Sequence, residues 1–205
     1  MVHLADAKKV LTHFKKTDPK LYKAIVDFKG KFSDGPTSQK ELFSSLCRII
    51  AGQQLSGKAA DSIWNKFRKT FPNNKPTAKG ILKRTDEELR ETGFSYAKIR
   101  SLKDLSRKIS NSQLESLRDE DEEIVREKLQ EVIGIGPWTS EMFIMFSLGN
   151  EDVFSPGDLG LKKGIQKIYK LKEMPTPLKL EKMSKKWSPY RTYASCAIWN
   201  ILDNR

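Results

Sequence analysis

The residues best suited to chemistry lie in two short segments in the second half of the chain. Residues 133–139 read Ile-Gly-Ile-Gly-Pro-Trp-Thr, and residues 152–158 read Asp-Val-Phe-Ser-Pro-Gly-Asp. A helix can reverse at Gly134, because glycine tolerates a positive φ, and a new helix can start at Pro137. Backbone N–H groups at such a helix start favour an anion, for example a phosphate. A carboxylate fixed at Asp158 could stabilise positive charge on a reacting group nearby.

Each of these features also has an ordinary structural interpretation. A Gly-x-Gly pattern by itself usually marks a tight turn between two helices. Asp158 precedes the predicted helix Leu159–Tyr169, where an aspartate commonly serves as the N-cap. The two roles of Asp158 are compatible, because a cap position holds the carboxylate in place. Asp152 is interpreted as structural.

Composition narrows the class of protein and of partner. The 205 residues suffice for one compact domain or two small lobes. The 38 Lys and Arg outnumber the 26 Asp and Glu, which gives a net charge of +12. Such a surplus indicates an anionic partner, either nucleic acid or an acidic membrane. No apolar run could span a bilayer, and no secretory signal is visible.

The two cysteines, Cys47 and Cys196, both lie in apolar runs. We expect two buried, reduced thiols in an intracellular protein. Two cysteines cannot ligate an iron–sulfur cluster that needs four.

Helix-start signals recur along the chain. Asp18-Pro19, Thr176-Pro177 and Ser188-Pro189 each place a capping side chain before a proline. Ser38…Glu41 and Thr85…Glu88 fit the reciprocal capping box. Apolar residues follow at helical spacing, and no alternating pattern typical of a strand appears. We therefore predict an all-α fold of about nine or ten short helices.

Five segments together carry a resemblance to a known family. They are Asp18-Pro19-x-Leu21 with Ala24-Ile25, then Ile50–Ser56 (Ile-Ala-Gly-Gln-Gln-Leu-Ser), Gly134–Thr139, Asp152–Asp158, and Trp187–Ala194 continuing to Trp199. In this order and spacing the chain, from about residue 18 to 202, resembles the helix-hairpin-helix DNA glycosylase superfamily. Within that superfamily it is similar to the alkylation-repair branch, the 3-methyladenine DNA glycosylases of bacterial type II and yeast.

The resemblance implies a two-lobed helix-hairpin-helix fold with an active-site cleft between the lobes. Residues 1–205 would form a single catalytic unit. Lobe A would comprise about 1–38 and 150–205, and lobe B about 39–149, with the hairpin at 133–138.

The family further implies a monofunctional enzyme. Glycosylases that also cut the backbone carry a nucleophilic lysine two positions after the second hairpin glycine. That position is Trp138 here, which cannot form a Schiff base. The branches that carry an iron–sulfur cluster are disfavoured by the cysteine count.

The family also assigns roles to individual residues. Asp158 would be catalytic, and Trp138 and Trp199 would line the substrate pocket, although simple core packing is the alternative for either tryptophan. The segment Gln53–Leu55 would enter the base stack, with Gln54 as the wedge, although a solvated helix end explains the two glutamines equally well.

The remaining assignments concern DNA and ions. DNA contacts would come from Gln53, Gln54, Leu55, Gly134, Gly136 and Thr139. Relatives bind a monovalent cation through hairpin carbonyls, here those of Gln130, Val132 and Ile135, although no side chain requires a Na⁺ or K⁺ ion there.

The expected function is base-excision repair of alkylated purines of the 3-methyladenine and 7-methylguanine type, flipped out of double-stranded DNA. Two alternatives remain: a non-catalytic helix-hairpin-helix DNA-binding module, and a glycosylase for another lesion class. We expect a monomer that needs no cofactor and no membrane. It would act in the cytoplasm or nucleoid of a prokaryote, or in a eukaryotic nucleus.

Overall fold

The structure, a computed structural model, describes residues 6–27, 39–55 and 57–203. Within these ranges the regular structure is entirely helical, with thirteen α-helices and no β-strand, so the predicted all-α class is confirmed. The count exceeds the predicted nine or ten because several helices, such as Ala78–Leu82, are too short to show an apolar period. No helix in the described ranges has both the length and the apolar character needed to cross a bilayer.

The chain divides into two compact units. Unit 1 comprises Met1–Ser38 and Gly149–Arg205, and unit 2 comprises Gln39–Leu148. The described helices of unit 1 are α1 (Ala7–Thr17), α2 (Pro19–Asp27), α11 (Leu159–Tyr169), α12 (Pro177–Ser184) and α13 (Arg191–Asp203). Those of unit 2 are α3 (Leu42–Gly52), α4 (Gly57–Lys69), α5 (Ala78–Leu82), α6 (Asp86–Glu91), α7 (Tyr96–Lys108), α8 (Asn111–Ser116), α9 (Glu122–Gln130) and α10 (Pro137–Phe143).

Unit 1 is built around one apolar cluster. The amphipathic helices α1 and α2 contribute Phe14 and Leu21, which pack with Leu161 of α11 and Ile198 of α13. Trp187, in the 3₁₀ turn after α12, is fully buried in the same cluster. Residues from both ends of the sequence therefore share one core.

Asp18 ties these elements together from inside unit 1. Its carboxylate accepts hydrogen bonds from the Trp187 indole at 2.8 Å, from the Tyr169 hydroxyl, and from the Lys186 ammonium at 2.9 Å. It also caps α2 by accepting the Leu21 N–H at 3.2 Å. Burial alone would raise the pKa of Asp18, but these hydrogen bonds outweigh burial and hold the pKa below its ordinary value.

Unit 2 is organised around α3, which packs against α4, α7, α8 and α10. Six of its eleven residues are buried, because apolar side chains cover more than one face of the helix. A second centre forms where the Phe67 ring meets the rings of Phe71 and Phe94, with centroids 4.9 and 4.8 Å apart. Cys47 of α3 is completely buried, and burial raises the pKa of its thiol.

Three predicted helix starts have the expected caps. Asp18 and Thr176 cap α2 and α12, and Thr85 and Glu88 form a complete capping box on α6. Two predictions were wrong or lie partly outside the described residues. Ser188-Pro189 does not start a helix, since α13 begins at Arg191. Ser38 lies outside the described residues, and Glu41 is the N-cap of α3 without a side-chain cap bond, rather than a residue inside its first turn.

The helices around the hairpin also differ from expectation. The helix before it, α9, ends at Gln130, three residues earlier than the Ile133 predicted as its end. The helix after it begins at Pro137, and α10 changes after Phe143 into a π-helical segment, Ile144–Leu148. The hairpin is therefore longer than the two glycines alone suggested.

Candidate active site

Asp158 of unit 1 stands at the first turn of α11. Its backbone has extended angles (φ −65°, ψ 126°), and its side chain accepts the Leu161 N–H at 2.7 Å. It is therefore the N-cap of an eleven-residue helix, as the structural interpretation predicted. The cap places a half-buried carboxylate at the positive end of the helix dipole, where negative charge is favoured.

Trp199 of α13 adds a second donor to the same carboxylate oxygen. Its indole Nε1–H donates to Asp158 Oδ1 at 2.9 Å, beside the Leu161 N–H. Two donors at one oxygen fix both the position and the direction of the carboxylate. Hydrogen bonds to an ionised group typically contribute about 1.5–3 kcal/mol each.

Two glycines on one face of α11 allow this contact. A Cβ at Gly164 would lie 2.3 Å from Ile198 Cγ2, and a Cβ at Gly160 would lie 2.9 Å from Trp199 Cδ1. Residues four apart share a helix face, so α13 can approach α11 closely only because both positions lack a side chain. The close approach brings the Trp199 indole to Asp158.

Asp152, six residues before Asp158, has a different environment. It accepts hydrogen bonds from the Arg191 N–H at 3.2 Å, from Arg191 Nε at 2.8 Å and from Ser188 Oγ at 2.7 Å. It thereby caps α13 from a distant loop. The structural interpretation of Asp152 fits this placement.

The hairpin of unit 2 needs a glycine at position 134 for two reasons. Gly134 has a φ of +81°, which side-chain-bearing residues rarely adopt. An added Cβ would also lie only 2.1 Å from Ser101 Oγ of α7. The carboxylate of Asp104, one turn further along α7, accepts the Ile133 N–H at 2.8 Å, and this hydrogen bond lowers the pKa of Asp104.

The segment predicted to enter the base stack is a tight turn after α3. Leu55 N–H donates to Gly52 O at 3.2 Å, and Gln54 has a φ of +56°. The Gln54 side chain is exposed, and that of Leu55 is 40% exposed. Gln53, in contrast, donates from Nε2 to Gly134 O and to Thr139 Oγ1.

The other predicted site residues lie around the hairpin in unit 2. Thr139 is buried, and its hydroxyl accepts a hydrogen bond from Gln53 Nε2. Gly136 is the N-cap of α10, and apart from the adjacent residues no atom lies within 4 Å of the Cβ that another residue would have there. Trp138 is half-buried on the first turn of α10.

The carbonyls predicted to hold a cation come from Gln130, Val132 and Ile135. Val132 O already accepts the Ile135 N–H at 3.0 Å, which leaves its second lone pair for an ion. Neutral carbonyl oxygens suit a monovalent cation, so the donor set fits. In the described residues, no cluster of three His, Cys, Asp or Glu side chains could bind a metal.

Sequence reasoning missed the residues of α7 that support the hairpin. They are Lys98, Ser101, Asp104 and Lys108, at spacings of three, three and four. Lys98 donates to the carbonyl of Gln53, Asp104 accepts the Ile133 N–H, and Lys108 donates to the carbonyl of Glu131. The Ser101 hydroxyl occupies the space that a Cβ at Gly134 would need. This polar stripe at helical spacing was visible in the sequence, beside the apolar stripe that buries Leu102 and Leu105.

Comparison with known proteins identifies the family of this chain. The family model described as "HhH-GPD superfamily base excision DNA repair protein" matches residues 47–189. DNA-3-methyladenine glycosylase 1 of Schizosaccharomyces pombe is 34% identical over 87% of this chain and 80% of its own length. The alkylbase DNA glycosidase-like protein mag2 of the same yeast is 31% identical, over 96% of this chain and 94% of its own.

A solved structure shows the same fold. The 3-methyladenine DNA glycosylase of S. pombe in complex with abasic DNA superposes with a TM-score of 0.86 at 32% identity, covering 93% of this chain and 95% of that one. The match of the family model spans well over half of the sequence and includes the hairpin, Asp158 and the loop before it. The chain therefore belongs to the HhH-GPD superfamily of base excision DNA repair proteins.

Proposed function

We propose that this protein is a monofunctional DNA glycosylase that hydrolyses the N-glycosidic bond of alkylated purines of the 3-methyladenine and 7-methylguanine type. The observation that carries the proposal is the Asp158 carboxylate, held at the start of α11 by the Leu161 N–H and the Trp199 indole. The relatives compared above support the substrate class, since one is named a DNA-3-methyladenine glycosylase and the other an alkylbase DNA glycosidase-like protein.

The chemistry needs one carboxylate. As the bond between C1′ and the purine nitrogen breaks, its electron pair goes to the purine, and positive charge develops on the sugar. Asp158 stabilises that charge and orients the water whose oxygen forms the new bond to C1′, with the water proton passing to the carboxylate or to solvent. An N-alkylated purine is cationic before cleavage and leaves as a neutral base. No second acid is therefore required to protonate it.

The tryptophans would supply selectivity for the cationic base. A cation over an indole face gains about 0.5–2 kcal/mol, and an undamaged purine lacks this charge. Trp199 would act twice, with its N–H directing Asp158 and its half-buried ring lining the pocket. Trp138 would contribute a second indole face for recognition of the base. Because Trp138 stands where lyase-active relatives carry a lysine, the reaction would end at hydrolysis.

The DNA contacts would come mainly from backbone and exposed side chains. The amides around Gly134, Gly136 and Thr139 would hold a phosphate, which positions a duplex without reading its sequence. The exposed Gln54 and Leu55 would fill the space that the extruded nucleotide leaves. Exposed lysines of unit 1 add positive charge: Lys163, Lys170, Lys172, Lys179, Lys182 and Lys185.

The proposed assembly is a monomer on double-stranded DNA containing alkylated bases, inside the cell, without a required cofactor. A Na⁺ or K⁺ ion held by the carbonyls of Gln130, Val132 and Ile135 would link hairpin peptide to phosphate. Asp158 belongs to unit 1, and the hairpin belongs to unit 2.

The decisive experiment measures release of free base from methylated duplex DNA by the wild type and by Asp158→Asn. The variant should release base at least a hundredfold more slowly while it still binds the duplex. Asp152→Asn is the matched control, because it removes a carboxylate from the same loop. That carboxylate binds Arg191 and is not assigned to the reaction. That control should lower stability but keep the rate per folded molecule.

The alternatives predict different outcomes in the same assay. Equal release by wild type and Asp158→Asn would refute the assigned role of Asp158. Salt-sensitive DNA binding without base release by either protein would favour the non-catalytic binding module. Release from uracil, hypoxanthine or oxidised-base duplexes, but not from methylated duplex, would assign the third class.

A further inference from the structure

The turn Gln53–Leu55 adopts a backbone conformation that its own residues do not favour. Gln54 has a φ of +56°, in the left-handed region where residues other than glycine are strained. Its side chain is exposed, so the packing of that side chain does not hold the turn in place. The support must come from neighbouring groups.

Lys98 supplies one side of that support. Its ammonium group donates to Ala51 O and to Gln53 O, both at 2.8 Å. These carbonyls stand at the end of α3, where the helix itself offers no donor and the dipole favours a positive charge. Lys98 thus links α7 to two carbonyl groups at the C-terminal end of α3. Burial lowers the pKa of Lys98, as expected for an ammonium that is partly removed from water.

Gln53 supplies the other side. Its amide nitrogen donates to Gly134 O at 2.9 Å and to Thr139 Oγ1 at 2.8 Å. An amide nitrogen has two protons, so both are used inside the protein. The side chain connects the turn to the glycine of the hairpin and to the first residues of α10.

The opposite side of the hairpin is held by α7. Asp104 accepts the Ile133 N–H at 2.8 Å, and Lys108 donates to Glu131 O at 2.6 Å. One helix therefore supports both the turn, through Lys98, and the hairpin, through Asp104 and Lys108. Gln53 closes the network between turn and hairpin.

We propose that Gln53 and Lys98 are positioning residues that hold the Gln53–Leu55 turn and the hairpin in one preformed arrangement, so that Gln54 and Leu55 meet the duplex without prior reordering. In this proposal the amide protons of Gln53 hold the hairpin rather than contact DNA, and the proposal rests on the proposed glycosylase function. A preformed wedge matters most where a base must be forced out of a stable stack. It matters least where the lesion is already unpaired, because extrusion then costs little.

The test compares Gln53→Ala and Lys98→Met on two substrates that carry the same alkylated base. One is a fully paired duplex, and the other is the single strand. Both variants should lose roughly tenfold to a hundredfold in kcat/KM on the duplex and less than threefold on the single strand. Lys98→Arg, which keeps the donor and the charge, should recover most of the duplex activity. Lys103→Met is the matched control, since it removes the same charge from α7 but breaks only a pair with Asp86.

A second measurement is independent of catalysis. Amide hydrogen exchange in the free protein should rise at least tenfold at Leu55 in Lys98→Met and stay unchanged in Lys103→Met. Equal losses on the two substrates, or unchanged exchange at Leu55, would overturn the positioning role. Absence of base release by the wild type would instead overturn the proposed function, and the exchange data would still decide whether Lys98 and Gln53 hold the turn.

Discussion

Replacing Gly134 with alanine probes the hairpin most directly. The substitution should lower stability for two separate reasons. The first is the backbone, since φ at this position is +81°. The second is steric, since the new Cβ would lie 2.1 Å from Ser101 Oγ and 3.3 Å from Ser101 Cβ. Removal of the hydroxyl in Ser101→Ala takes away the shorter contact and leaves the longer one.

The expected magnitude follows from these two parts. A left-handed conformation costs a residue with a Cβ about 1–2 kcal/mol. Forcing a methyl group into a packed site adds about 1–3 kcal/mol. Gly134→Ala should therefore lower the free energy of unfolding of unit 2 by about 2–5 kcal/mol. In the Ser101→Ala background the same change should cost only about 1–2 kcal/mol, close to the backbone part alone.

The assay is a double-mutant cycle by denaturant unfolding, followed with a probe in unit 2 because the units need not unfold together. The coupling between the two positions should be about 1–3 kcal/mol, and duplex binding should weaken in Gly134→Ala and recover partly in the double variant. An equal cost of Gly134→Ala in both backgrounds would show that Ser101 does not limit the hairpin and would refute the steric reasoning.

Two further predictions concern unit 1. Trp199→Phe keeps an aromatic side chain but removes the hydrogen bond to Asp158, so kcat should fall at least tenfold with little change in KM. An unchanged kcat would mean that the indole N–H does not direct the carboxylate. Asp18→Asn should lower the free energy of unfolding by about 2–3 kcal/mol at pH 7. Because the folded pKa of Asp18 lies below 3.8, its contribution is present above that pH and is lost as the pH falls through the folded pKa. Unfolding curves of wild type and variant should therefore converge in acid, and a constant difference down to pH 2 would contradict this account.

Local signals in the sequence predicted much of the fold. Thr85 and Glu88 form the expected capping box because that interaction involves only residues three apart. Ser188-Pro189 misled because the N-terminus of α13 is capped by Asp152, thirty-nine residues before Arg191, and no local pattern reports such a distant partner. Likewise, no sequence motif predicts the π-helical segment that follows α10.

The candidate site was predictable in its residue types but not in its hydrogen bonds. Asp158 stands at the expected helix start. That Trp199 donates to it depends on the close approach at Gly160 and Gly164, which only the packing of α13 on α11 explains. Gln53 was predicted as a DNA contact, and its partners inside the protein became visible only when the turn and the hairpin were placed together. The catalytic and DNA-contacting roles themselves stay predictions.

The divided sequence of unit 1 has a consequence for the order of events during synthesis. Phe14 and Leu21 leave the ribosome early, but their partners Leu161 and Ile198 follow well over a hundred residues later. At a synthesis rate of about 5–20 residues per second, the apolar faces of α1 and α2 lack their core partners for on the order of ten seconds. Unit 2 is continuous and can fold within that interval.

Completion of unit 2 then makes the closure of unit 1 easier. Gln39 N–H donates to Ser147 O at 2.9 Å, so the two ends of the inserted segment meet. A flexible connection of roughly 110 residues would cost about 4 kcal/mol of chain entropy to close. Once the ends of unit 2 are joined, it acts as a short connection between the two sequence segments of unit 1. Most of the chain entropy has then been lost before the last helix is synthesised.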